Sequence, residues 1–275
     1  MLLDKDQFQK KLAKLQNLPA FPSILDRFNE MVKDPSISMS QIGDVIGQDQ
    51  MLSLKILKLI NSAFYGFPGR ISTITHALVL LGYDVVKGLI LSATVFEEMS
   101  NDWRELWKHS LGVSKACGLI CEKLRIPDAE EIAMAGLLHD IGKVVLILEE
   151  PVIYGKVQMG AAKHDMPIEL AEQKLLGFDH TEVASWLCDR WHLPQRLGVP
   201  MAYHHHPESS KNPQMHSVVV FLADNVTKAV GAGAEVCSKV MPMPAIVTDM
   251  LNINRAFLEQ LVIDLERELQ TISAD

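Results

Sequence analysis

Positive charge is scarce in this chain. Lysine and arginine total 26 against 34 aspartates and glutamates, a formal net charge of −8. Gripping a nucleic-acid backbone takes clustered basic residues that neutralise successive phosphates. The balance therefore argues against nucleic acid as a partner, although it leaves room for a local basic pocket. Long hydrophobic runs are missing as well: none reaches the roughly 18 apolar residues of a membrane span, so no membrane partner is expected. The first residues, Met-Leu-Leu-Asp-Lys-Asp-Gln-Phe-Gln, are charged and lack an apolar signal-peptide core. A cytoplasmic location is the expectation. Only four cysteines occur, Cys117, Cys121, Cys188 and Cys237, and in that compartment thiols stay reduced. Cys117 and Cys121 stand four apart, a spacing that could bridge a metal from one helix, but two small core residues is the favoured reading. Strand-like alternation is nearly absent, and there is no internal repeat or low-complexity tract.

What is present is helical periodicity. Apolar residues recur three and four apart in most segments. With 275 residues, 48% hydrophobic and 22% charged, the chain can bury a substantial core as one large domain or two ordinary ones. The expected fold is all-α: a multi-helix bundle preceded by a smaller N-terminal helical subdomain. In the first part, helices are expected over 4–16 and 23–33, from Ser38 or Ser40 to near Gly47, and from 50 to 61 behind an Asp49 cap. After a loop, Tyr65-Gly66-Phe67-Pro68-Gly69-Arg70, come helices over 72–81 and 84–99. Polar Ser100-Asn101-Asp102 marks a boundary near residue 100, between residues 1–100 and 101–275. Beyond it, a long helix over 103–124 carries His109, and a helix opened by Pro127-Asp128 ends on His139-Asp140. Further helices are expected over 150–163, 167–176, 180–191, 194–205, 215–230, 242–250 and 254–270.

The chemistry centres on His139 and Asp140 in Gly-Leu-Leu-His-Asp-Ile-Gly-Lys (136–143). They follow the apolar stretch Ile132-Ala133-Met134-Ala135, which places them at a largely buried helix end. A buried carboxylate is costly unless it is paired or bound to a metal. The other candidate ligands are His109, His180, the triplet His204-His205-His206, and Asp224 directly after the apolar run Val218–Ala223. Each alone has a bland reading as a solvated or locally paired residue. His76, His164, His192 and His216 are read that way.

Together, His109, His139-Asp140 and Asp224 resemble, in order, the metal-binding residues of the HD superfamily of metal-dependent phosphohydrolases. His180 and the His204-His205 pair resemble the histidines that hold a second metal in the HD-GYP branch, which hydrolyses cyclic di-GMP. The Gly-Tyr-Pro element of that branch is missing; Pro207-Glu208-Ser209-Ser210 follows the histidines instead. Leu18-Pro19-Ala20-Phe21-Pro22, Gly47 to Leu52, Leu59 to Gly66, Ile74 to Gly82, Gly177-Phe178-Asp179-His180 and Trp191-His192-Leu193-Pro194 are similar to the signature of the HDOD family, the HD-related output domain of bacterial signalling proteins. That resemblance spans roughly residues 10–265. Many members have lost metal ligands; this chain keeps every ligand position.

The resemblance implies a divalent metal site of His109, His139, Asp140, His180, His204, His205 and Asp224, with Asp140 bridging two ions. On a helix successive residues are about 100° apart, so the three histidines of the triplet cannot all face one point; the family pattern favours His204 and His205. Mixed imidazole and carboxylate donors suit Fe, Mn, Zn or Ni, and Mg less well. Asp140 and Lys143 are the candidate catalytic residues. Lys143 would neutralise a substrate phosphate, unless it is an ordinary exposed lysine. Glu208 would orient a ligand histidine. Two functions follow as expectations. One is a bacterial signalling module acting on a protein partner or ligand, with the aromatic loop Asn61–Arg70 as a binding feature unless its rings anchor the loop to the core. The other is a metal-dependent phosphohydrolase acting on a nucleotide or another phosphate-containing small molecule.

Overall fold

The computed structural model describes residues 4–14, 21–61, 71–95, 104–210, 214–233 and 239–272. Among them every regular element is a helix, so the fold is all-α as expected. The first part holds α1 (Lys5–Lys14), α2 (Phe21–Lys33), α3 (Met39–Gly47), α4 (Gln50–Ile60) and α5 (Ile74–Val95). The second holds α6 (Arg104–Leu124), α7 (Ala129–Leu138), α8 (Ile141–Glu149), α9 (Pro151–His164) and α10 (Ile168–Leu176). It continues with α11 (His180–Arg190), α12 (Gln195–Tyr203), α13 (Met215–Ala229), α14 (Ala245–Leu251) and α15 (Arg255–Ile272). The expected boundary near residue 100 and the aromatic rings of the 61–70 loop lie outside the described residues, as does Cys237.

Local chemistry explains several starts. Ser38 and Gln41 form a reciprocal capping box at α3. Asp49 accepts a hydrogen bond from the Leu52 backbone N–H at 3.0 Å and opens α4. The two helices expected over 72–81 and 84–99 meet as α5, where Gly82 alone leaves helical geometry at φ 79°. That left-handed backbone favours glycine. Residues 141–149, which the sequence reading left without an element after the helix ending on His139-Asp140, form a helix of their own. The reason is the doublet itself: Asp140, at φ −97° and ψ 14°, breaks one helix and starts the next.

No single run of the sequence is long and purely apolar, yet the Ile74–Ala93 part of α5 is long and apolar enough to cross a membrane by length and composition. Val85, Val86, Leu89, Ile90 and Leu91 of that helix are fully buried in the fold. The N-terminal elements sit on the second part through specific contacts. Phe8 lies 5.2 Å from Phe178 between ring centres, Asn29 donates to the Trp191 carbonyl at 3.3 Å, and Lys87 donates to the His192 carbonyl at 2.6 Å.

In the second part, α7 packs on α6, α12 and α13, while α11 packs on α8 and α12. Ile132, Leu137, Leu138, Val218, Val219 and Leu222 on α7 and α13 are fully buried. At about 1.5–3 kcal/mol per side chain, such burial offsets the cost of holding charged groups among them.

Candidate metal centre

Six elements deliver the predicted ligands to one point. His109 comes from α6, His139 caps α7, and Asp140 sits in the joint before α8. His180 is the first residue of α11, His204 and His205 follow α12, and Asp224 lies in α13. All seven are buried. The local sequence accounts for the aim of His180. Gly177, at φ 86°, ends α10 in the left-handed region. Phe178 is then buried between Phe8 and Trp186. Asp179 caps α11 by accepting from the backbone N–H groups of Thr181 and Glu182 at 2.9 and 3.1 Å. Gly142 admits α8 against α11, because a Cβ there would collide with the His180 carbonyl oxygen.

Asp140 presents one carboxylate oxygen to each of two groups. Its Oδ2 lies 3.2 Å from His139 Nε2 and 3.9 Å from His109 Nε2. Asp224 Oδ1 completes that group at 3.0 Å from His109 Nε2 and 3.9 Å from His139 Nε2. The other oxygen, Oδ1, lies 3.4 Å from His180 Nε2 and 3.6 Å from His204 Nε2. His180 Nε2 is in turn 3.4 Å from His204 Nε2 and 3.0 Å from His205 Nε2. Donors bound to one ion at about 2.1 Å stand about 3.0–3.4 Å apart in octahedral or tetrahedral geometry. His180, His204 and His205 form one cluster able to hold a metal ion, and His109, His139 and Asp224 form another.

The proton positions make the same point. His139 Nδ1 faces the Gly136 carbonyl at 2.7 Å, and His204 Nδ1 faces the Met201 carbonyl at 3.1 Å. His180 Nδ1 faces a Glu172 carboxylate oxygen at 2.6 Å. Carbonyl and carboxylate oxygens only accept, so in each ring Nδ1 carries the proton, and the neutral ring turns a bare Nε2 inward. With both rings neutral, the Nε2 lone pairs of His180 and His204 face each other with no proton between them. His139 Nε2 and Asp140 Oδ1 are buried without a hydrogen bond. Buried acceptors aimed at one another are costly, and a divalent cation resolves them. The donor set fits that group.

A family model described as the HDOD domain matches residues 18–207. The chain belongs to the HDOD family. The match takes in His109 through His205; Asp224 lies beyond it on α13. One similar protein is an uncharacterized protein of Treponema pallidum (strain Nichols), 27% identical over 202 residues, which are 70% of this chain and 38% of that protein. The HDOD chain thus spans well under half the length of that relative. Another is an HDOD domain protein with unknown function from Geobacter sulfurreducens. Its crystal structure superposes with a TM-score of 0.70 at 25% identity, over 97% of this chain and 94% of that one. A candidate signal transduction protein from Marinobacter aquaeolei VT8 shares the fold at a TM-score of 0.73 and 19% identity, over 98% of this chain and 64% of that one.

Electrostatics in this HDOD site favour charged carboxylates at Asp140 and Asp224 and neutral rings at His204 and His205. Burial pushes the Asp140 carboxyl up, but His139 and Lys143 outweigh it and hold it well below the usual range. Asp224 behaves alike, with burial overcome by Lys228, His109 and His139. Burial drives His204 down to about 4 and His205 well below the ordinary histidine value. His180 differs: burial lowers it, yet the Glu172 carboxylate raises it overall.

The structure decides three points that the sequence raised. Lys143 is not an exposed lysine: it is 2% exposed, and its ammonium lies 2.8 Å from Asp140 Oδ2. Glu208 does not orient a ligand histidine. It lies 3.3 Å from His206, the exposed member of the triplet, while His204 and His205 turn inward. The Cys117–Cys121 spacing holds no metal cluster among the described residues; burial pushes both thiols up, that of Cys121 to about 12, so neither offers a thiolate. His76, His164 and His192 are exposed, and His216 meets the Arg196 carbonyl instead.

Sequence reasoning missed Glu172, Tyr154, Lys228 and Glu169. Lys228 lies 2.7 Å from Asp224 Oδ2 and is four residues beyond it on α13, a spacing that could have flagged it. Glu172 shares the apolar face of α10 with Ile168, Ala171 and Leu176, and that pattern was the available signal.

Proposed function

We propose that this HDOD chain is a signal-transduction module built around a divalent metal centre of His109, His139, Asp140, His180, His204, His205 and Asp224, acting by binding a protein or ligand. The observation that carries it is the bare Nε2 atoms of His139, His180 and His204 converging on the two oxygens of Asp140. Membership of a family of output domains and the shared fold with a candidate signal transduction protein support the signalling half of the reading. The donor set suits Fe, Mn, Zn or Ni.

One observation favours a second reading, a metal-dependent phosphohydrolase acting on a nucleotide or other phosphate ester. Lys143 is held against the bridging carboxylate, where its positive charge would meet a phosphate oxygen beside the centre. A divalent ion there would polarise a phosphoryl oxygen and make water more acidic. Lys143 would orient the phosphate, and Asp140 and Asp224 would hold the negative charge that keeps the centre assembled.

Metal analysis of the purified chain, with hydrolysis of an aryl phosphate in Mn(II) or Fe(II), separates the readings. We expect bound metal that is lost in Asp140→Ala with helical structure retained. Turnover abolished by that substitution would establish the hydrolase. Metal without turnover supports the binding module, and absence of metal overturns the centre.

A further inference from the structure

Two glutamates of α10 lie on the His180 side of the centre. Glu172 is fully engaged by His180 and Tyr154. Glu169 is not. It is 5% exposed, its Oε1 is buried without a hydrogen bond, and its Oε2 stands 4.0 Å from His205 Nε2. A buried carboxylate without a charge partner or hydrogen bonds is a costly group. Among the described residues its one near ion-pair candidate is a ring whose Nε2 already faces His180 Nε2 at 3.0 Å.

We infer that Glu169 is a further ligand, supplying a terminal carboxylate oxygen to the ion held by His180, His204, His205 and Asp140. The reach suits it: Oε2 stands 4.0 Å from His205 Nε2, farther than the about 3.0–3.4 Å between donors assembled on one ion, and a turn of the Glu169 side chain closes that gap when the ion binds. Charge suits it as well. The first group has Asp224 as its own carboxylate and shares Asp140. The second has three imidazoles and only the shared Asp140 oxygen. Glu169 gives each divalent ion a carboxylate of its own, and the added oxygen shifts the second group toward harder ions such as Mn(II) and Fe(II).

This inference rests on the divalent-centre reading, and its test separates the two. The full chain, stripped by chelation, is titrated with Mn(II) by calorimetry and with Co(II) by visible absorption, alongside Glu169→Gln and His109→Ala. We expect the unaltered chain to take up two ions. Glu169→Gln should weaken one of them at least tenfold and alter its Co(II) spectrum, while the ion lost in His109→Ala stays unaffected by the glutamine. Unchanged affinity and spectrum in Glu169→Gln overturn the role of Glu169 while leaving the centre standing. No uptake by the unaltered chain overturns the centre and this inference with it. Circular dichroism checks the fold. If the glutamine variant does not fold, Glu169→Asp is measured instead: its shorter stem should alter the Co(II) spectrum, and an unaltered spectrum overturns the assignment.

Discussion

Glu172 accepts three hydrogen bonds while fully buried: from the His180 ring at 2.6 Å, from the His180 backbone N–H at 2.9 Å, and from the Tyr154 hydroxyl at 2.9 Å. It fixes which nitrogen of His180 carries the proton, so it positions a ligand without being one. Replacing it with alanine strands those buried donors, at about 1–3 kcal/mol for each unsatisfied group. Glu172→Gln keeps the shape and removes the charge, and metal affinity on the His180 side should fall about 10–100-fold. Urea unfolding reads the first effect and Mn(II) titration the second; unchanged affinity in both variants would reject the positioning role. At this scale the sequence was legible where chemistry is rare. A His-Asp doublet after an apolar run has few explanations, whereas a glutamate on a helix is usually solvated. Only the burial of α10 tells Glu169 and Glu172 from ordinary surface residues.

At the scale of elements, the centre depends on how closely α8 approaches α11. Gly142 stands where any Cβ would strike the His180 carbonyl. Gly142→Ala should push the helices apart, separating Asp140 from His180, and cost about 1–3 kcal/mol as overpacking does. A thermal melt and metal analysis check this together; a variant with unaltered melting and full metal content would show that the contact relaxes freely. The periodicity of the chain located most helices within a residue or two because each has an apolar stripe. It marked the helix end at His139-Asp140 but assigned no element to residues 141–149. Residues 141–147 are buried all round, so there is no apolar stripe against a polar face to announce a helix there.

Across the whole molecule, Lys87 ties α5 to the turn after α11 through its bond to the His192 carbonyl. Burial pushes this ammonium down to about 8, against opposing help from Asp84 and Asp26, with Lys33 and Cys188 also close. The folded value lies below the ordinary 10.5, so below about pH 8 the charged group destabilises the fold relative to the unfolded chain. That penalty is relieved as pH rises from about 8 toward 10.5. The stability of the unaltered chain relative to Lys87→Met should therefore rise over that window by about 1–3 kcal/mol. Denaturant unfolding at several pH values measures it, and a flat difference would refute it. The sequence by itself determined the helical class and the caps at Ser38 and Asp49, because periodicity and capping chemistry are local properties, and it named seven candidate donors through rare residue types and a family resemblance. Only the tertiary structure decided that Asp140 divides its oxygens between two groups, that Lys143 and Lys228 are held against the carboxylates, that His206 turns away, and that Glu169 and Glu172 stand behind the histidines. Those are relations between residues up to 115 positions apart. They exist only once the helices pack, and burial then turns an ordinary charge into one that must find a partner.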